Sequence, residues 1–254
     1  MIRPMTDWQS DSTLPLQARE GLKILCEGFQ AALGEDLLSV VLFGSVAKGD
    51  EYYVPTTDVE TLVVVKAISA TQLDAMGPVL REARRKSLVT TMIVTPDDLA
   101  SSCDVFPVKF CDAKEHHRLL LGHDHLADLE IHEDHMRLRC EQELRNLTLR
   151  LRAMWAKTAG SSKARLEVLA RAGATFVDQL RTLMRLREGS APLKRAEVVD
   201  KAESLGMDKA LLQELLAIGR GRYSPKGEEL TKLGDRFLEA AAKAAKMADT
   251  HEVK

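Results

Sequence analysis

The sequence predicts an α+β chain: a small mixed β-sheet domain followed by an all-α helical bundle. Three observations carry this. Short apolar runs of strand length, separated by turn residues, are confined to the first half. The composition changes after about Gly122. From Glu133 onward apolar residues recur with helical period almost without interruption. The domains are drawn at residues 1–125 and 126–254, with the break between Leu121 and Glu133.

Each element has its own signal. Gln17 to Leu33 reads as a helix with Leu22, Leu25, Cys26 and Phe29 on one stripe, stopped by Gly34. Leu37 to Phe43 is the first strand, and Glu60 to Val65 lies in the second. Thr71 to Arg85 is a helix that ends in a basic run. Leu88 to Val94 is a third strand. Thr95-Pro96-Asp97-Asp98 opens a helix, with Thr95 as N-cap and Pro96 in the first position. Val105 to Cys111 is expected as a fourth strand, with Val108 and Phe110 on one side and Lys109 on the other. The bundle helices are expected over Glu133–Ala156, Ala164–Arg187, Arg195–Leu205, Lys209–Ile218 and Gly227–Ala248. Gly160-Ser161-Ser162 and Gly189-Ser190-Ala191-Pro192 are the connecting turns.

The whole chain sets bounds on function. It has 254 residues, 45% of them apolar, enough for a sizeable core. The 36 basic and 38 acidic residues leave a formal net charge of −2, which offers no bulk attraction for nucleic acid. Aromatic residues are 4%, too few for a base-stacking platform. Cys26, Cys103, Cys111 and Cys140 lack C-x-x-C spacing and read as reduced thiols. With no apolar leader and no membrane-length apolar run, the chain is expected in the cytoplasm, away from membranes.

One stretch carries chemistry. A buried-type strand runs into Gly44-Ser45, and Asp58-Val59-Glu60 opens the next strand. Strand side chains alternate faces, so Asp58 and Glu60 point the same way. Two carboxylates on one face beside a glycine turn suit Mg²⁺ and a triphosphate. The glycine admits phosphate close to backbone N–H groups, and Ser45 adds a hydroxyl. Neither G-x-x-x-x-G-K-[ST] nor G-x-G-x-x-G occurs.

This arrangement resembles the nucleotidyltransferase superfamily of DNA polymerase beta and the aminoglycoside nucleotidyltransferases. The matching residues are Gly44, Ser45, Asp58 and Glu60, with Ala47-Lys48-Gly49 fitting the small-basic-glycine pattern. The usual second acid is aspartate, so Glu60 is a departure. The resemblance implies transfer of a nucleoside monophosphate from a nucleoside triphosphate to a hydroxyl of a small-molecule or protein acceptor. It implies Mg²⁺ on Asp58 and Glu60 as the catalytic and metal residues, and phosphates at Gly44, Ser45 and Lys48.

Such enzymes carry a third carboxylate on a later strand. Thr90 falls at that position here, and Lys109 on the other candidate strand. The acid is therefore missing or comes from Asp112, Glu115 or a helical-domain glutamate, Glu141 or Glu143. The resemblance makes Glu141, Glu143 and Lys109 the residues to inspect for the acceptor and base. A member that binds nucleotide or a partner protein without turnover is the alternative. A bundle that only mediates interactions, with a purely structural sheet, is a third reading. Six histidines lie between His116 and His135, and His132 and His135 have ligand spacing. No H-E-x-x-H occurs, and these histidines read as solvated or capping groups. The arginines and glutamates of the first long helix read as a solvated face, with Glu141 and Arg145 as an i,i+4 pair.

Overall fold

The structure is a computed structural model that describes residues 8–49 and 58–251; the loop of the motif between Gly49 and Asp58 lies outside it. The chain divides into two compact units, Met1–Ile131 and His132–Lys254.

The first unit begins with helix α1 (Leu16–Leu33) and strand β1 (Leu37–Phe43). A single helical turn, α2 (Gly44–Ala47), leaves the end of β1. Strand β2 (Val59–Val65), helix α3 (Ala70–Ser87) and strand β3 (Val89–Val94) follow. Helices α4 (Pro96–Ser102) and α5 (Pro107–Glu115) lead to strand β4 (Arg118–Gly122). The order across the sheet is β3-β2-β1-β4. β1 pairs antiparallel with β2 and β4, and β2 pairs parallel with β3. The expected mixed sheet is therefore present.

Both faces of this sheet are covered. Val40, Leu42, Val63 and Val65 share one core with Leu22, Leu25 and Phe29 of α1 and Met76 and Ala83 of α3. Val41, Phe43, Leu62 and Val64 share the other with Leu99 of α4 and Phe110 and Ala113 of α5. Two-sided burial is why β1 and β2 read as continuous apolar runs rather than alternating ones. The Thr95 capping box starts α4 as its sequence predicts: the Asp98 N–H donates to Thr95 Oγ1, and Asp98 accepts from the Thr95 N–H.

One expected element is corrected. Val105–Cys111 is not a strand; Pro107 opens α5, and the fourth strand is Arg118–Gly122. Pro107 at the first helical position has the φ a helix needs and no N–H to leave unpaired. Pro107, Phe110 and Cys111 are buried, together with Ala113, and the first three have the i, i+3, i+4 spacing of a helix.

The second unit is a helical bundle. It comprises α6 (Glu133–Lys157), α7 (Ser162–Glu188), the short α8 (Arg195–Asp200), α9 (Lys209–Gly219) and α10 (Gly227–Asp249). The expected helix over Arg195–Leu205 is broken: α8 ends at Asp200 and a 3₁₀ turn, Ala202–Leu205, follows. α6 packs on α7 and α10, and α7 also packs on α9. Phe176 and Phe237 meet in its core with ring centroids 5.4 Å apart. No described helix is long and apolar enough to cross a membrane.

Gly122 closes β4 with φ +82°, and a Cβ there would fall on the Leu38 carbonyl oxygen. That obstacle is backbone and cannot swing away. Gly122→Ala is expected to lower stability by about 2–4 kcal/mol, read from urea unfolding of the full chain. Retention of the wild-type midpoint would show that the β1–β4 edge yields.

Candidate active site

The site is built where β1 ends and β2 begins. Phe43 stands opposite Glu60 across the antiparallel pair. By alternation Glu60 shares its face with Leu62 and Val64, the face covered by α4 and α5. Asp58 stands immediately before β2, two residues ahead of Glu60, and is exposed. The chain leaves Phe43 through Gly44, whose φ of +75° is in the left-handed region. A Cβ at Gly44 would fall on Glu60 Oε2 and lie 3.0 Å from its carboxyl carbon. The bare Cα is thus what makes room for the Glu60 carboxylate.

The α2 turn carries Ser45 and ends at Lys48. The Lys48 N–H donates to the Gly44 carbonyl at 3.3 Å. Arg118 of β4 fixes this turn: its Nε donates to the Ala47 carbonyl at 3.1 Å, and its Nη1 donates to Thr13 Oγ1 at 2.9 Å and pairs with Asp11. The Lys48 side chain is only 8% exposed, and its Nζ lies 2.6 Å from Asp112 Oδ2.

Helix α5 brings two groups to the site. Lys109 and Asp112 are three residues apart and so share a helical face. Lys109 Nζ lies over the Phe43 ring, 5.2 Å from its centroid. Burial pushes the Glu60 carboxyl up from its ordinary value. The Lys109 charge opposes that shift, Asp58 adds to it, and Lys48 and Asp112 act more weakly in opposite senses. One half-buried acid therefore feels two cations and two anions drawn from three separate elements.

The other sequence candidates are placed as follows. Thr90 stands beside Glu60 in the parallel β2–β3 register, so no carboxylate comes from that position. Glu141 pairs with Arg137 at 3.3 Å and Arg145 at 2.6 Å, and Glu143 with Arg139 at 2.5 Å, all along α6. His117 Nε2 meets Asp124 at 2.9 Å, and His123 Nε2 meets Asp128 at 3.0 Å. The His132 and His135 rings lie edge to face, 5.5 Å apart. Among the described residues no three His, Cys, Asp or Glu groups converge as a metal cage. Asp112 is the group sequence reasoning underweighted. Its signal was the Lys109-x-x-Asp112 spacing, which has meaning only on a helix.

The titration of Glu60 yields a prediction. Its proton leaves later in the folded chain than in the unfolded one. Below the unfolded value both states are protonated and folding loses nothing. As pH rises through the unfolded value toward the folded one, the unfolded state sheds its proton first and stability falls. Glu60→Gln is expected to melt higher than wild type near pH 7 and to converge with it near about pH 4. Thermal melts across that range in chelator check this. A variant less stable at neutral pH would mean that attraction to Lys109 outweighs burial.

No protein-family model matches the sequence, and no curated protein matches it. In structure the chain is similar to the spectinomycin adenyltransferase AAD(9) from Enterococcus faecialis, a protein solved with ATP and spectinomycin. The TM-score is 0.56 at 11% sequence identity, covering 91% of this chain and 99% of that one. Similarity at that identity speaks for the fold: this chain has a nucleotidyltransferase-like fold, a small mixed sheet followed by helices.

Proposed function

We propose that the protein is a Mg²⁺-dependent nucleotidyltransferase that moves a nucleoside monophosphate from a nucleoside triphosphate to a hydroxyl group. The observation that carries this is the Glu60 carboxylate seated against the bare Cα of Gly44, with the Asp58 charge near enough to act on it. Burial and the Asp58 charge both work against ionised Glu60, and a cation between the two acids would relieve that strain. Mg²⁺ binds through one or two carboxylates and takes its remaining oxygens from phosphates and water. Two acids at an open strand end fit that demand, and Asp58 and Glu60 would be its protein ligands. When bound, the ion would polarise the α-phosphoryl group and offset charge on the oxygens.

The chain's own groups have distinct tasks in this reading. Gly44 and Ser45 leave space for phosphate oxygens beside the turn. Lys48 and Lys109 offset phosphate charge, Lys109 from its seat over Phe43. The acceptor oxygen bonds to the α-phosphorus and gives its proton to solvent, the bond from the α-phosphorus to the bridging oxygen breaks, and pyrophosphate leaves with that electron pair. AAD(9) was solved with spectinomycin, so spectinomycin is the first acceptor to assay.

A second reading has its own observation. Thr90 occupies the position beside Glu60 where related enzymes carry an acid, and a hydroxyl is a poor proton acceptor. General-base assistance is worth about 10² to 10⁴ in rate, so a site without it would bind nucleotide and turn over slowly or not at all. Pyrophosphate release separates the two readings. Turnover near or above about 1 s⁻¹ would exclude the degenerate site.

Asp58→Ala tests the site itself. Loss of a metal carboxylate is expected to weaken Mg²⁺-dependent ATP binding by about two orders of magnitude. The melting temperature without metal should hold or rise, because an acid facing Glu60 is removed. Calorimetric titration with ATP and Mg²⁺ gives the answer. Unchanged affinity would remove Asp58 from the site.

A further inference from the structure

We propose that Asp112 is a built-in counter-anion for Lys48, and that a polyphosphate displaces it. The Lys48–Asp112 pair then sets both the affinity of the site and its preference for polyphosphate over singly charged anions. This rests on the nucleotide-binding reading and adds what the ligand must compete against.

The pair is asymmetric. The Lys48 side chain is 8% exposed and that of Asp112 is 29% exposed. An ammonium with so little water needs an anionic partner, and leaving it unpaired is costly. Asp112 has more water at hand and regains hydration when it lets go. In an exchange of partners the cation therefore stays and the anion is replaced.

The backbone supports the same direction. Lys48 sits at the end of the α2 turn, which the Gly44 carbonyl holds from within and Arg118 holds at Ala47. That anchors the Lys48 backbone, and with it the base of the ammonium's stem, beside Gly44. The exchange also takes place where phosphate is expected, because the charges of Lys48 and Asp112 both reach Glu60, which touches Gly44.

Charge then decides which ligand wins. A single carboxylate already 2.6 Å away competes evenly with a singly charged anion. A triphosphate brings several charges to the same ammonium and outcompetes it. Orthophosphate, partly doubly charged near neutral pH, brings less charge than triphosphate and would bind only at much higher concentration. Lys109, held over Phe43, draws on the same ligand from the other side.

The test uses the full chain and three probes with Mg²⁺: ATP, inorganic tripolyphosphate and orthophosphate. In Asp112→Asn the counter-anion is gone and the amide oxygen can still accept from Lys48. Tripolyphosphate and ATP are expected to bind about tenfold tighter than in wild type, and orthophosphate should become measurable. In Lys48→Met all binding weakens, and adding Asp112→Asn in that background should gain far less than the tenfold it gives in wild type, so the two effects are strongly coupled. Asp112→Glu should behave as wild type. The Lys48→Met/Asp112→Asn double variant leaves neither charge unpaired, so it still shows whether polyphosphate binding needs Lys48 if Lys48→Met alone unfolds. Weaker or unchanged polyphosphate binding in Asp112→Asn, or simple additivity with Lys48→Met, overturns the proposal. If Asp58→Ala abolishes ATP binding while the Asp112 variants leave it untouched, the nucleotidyltransferase reading stands and this inference falls. If neither wild type nor Asp112→Asn binds any probe, both fall.

Discussion

The seat of the Glu60 carboxylate against Gly44 is the contact on which the rest of the site depends. Glu60 is fixed in place by its strand, and β2 is fixed by pairing on both sides, with β1 and with β3. The carboxylate therefore has one direction in which to extend, and any Cβ at the end of β1 would block it. The left-handed φ at Gly44 turns the chain out of the sheet at the same point. One residue thus solves two problems, the sharp exit from β1 and the room for an acid beside it. Ser45 and Lys48 then follow on the α2 turn at positions determined by that exit.

Electrostatics at the site are a balance rather than a simple excess of either sign. Burial disfavours ionised Glu60, and Asp58 makes it worse. Lys109 offsets this from α5, and Lys48 does so from α2. Each lysine is itself restrained, Lys109 by the Phe43 ring and Lys48 by Asp112. Restrained, half-buried charges act more strongly than mobile ones in water.

The helical unit uses charge in another way. Two acids of α6 pair along their own helix, with Glu141 shared between Arg137 and Arg145 and Glu143 held by Arg139. Helical i,i+4 pairs of this kind contribute only a few tenths of a kcal/mol each. The fold of this unit rests instead on buried leucines and phenylalanines. Leu180, Leu183, Phe176 and Phe237 have no measurable exposure.

What the sequence determined by itself is the local chemistry. Strands β1 and β2 were legible because two-sided burial writes a continuous apolar run. The long helices were legible because their period persists over many turns, and α4 because its capping box is contiguous in the chain. Gly44, Ser45, Asp58 and Glu60 stood out because they flank two adjacent strands and need no distant partner to be noticed. Tertiary structure decided what crosses between elements. Val105–Cys111 has enough apolar residues for a short strand, and only the packing of Pro107, Phe110 and Cys111 makes it a helix start. That change brought Lys109 and Asp112 onto one face, and so gave Glu60 a cation and Lys48 a counter-anion. Lys48 and Asp112 are far apart in the chain, and no periodicity encodes a pairing at that distance. Such a contact depends on where whole elements pack, which is set by the core and not by the residues that meet at the surface of it.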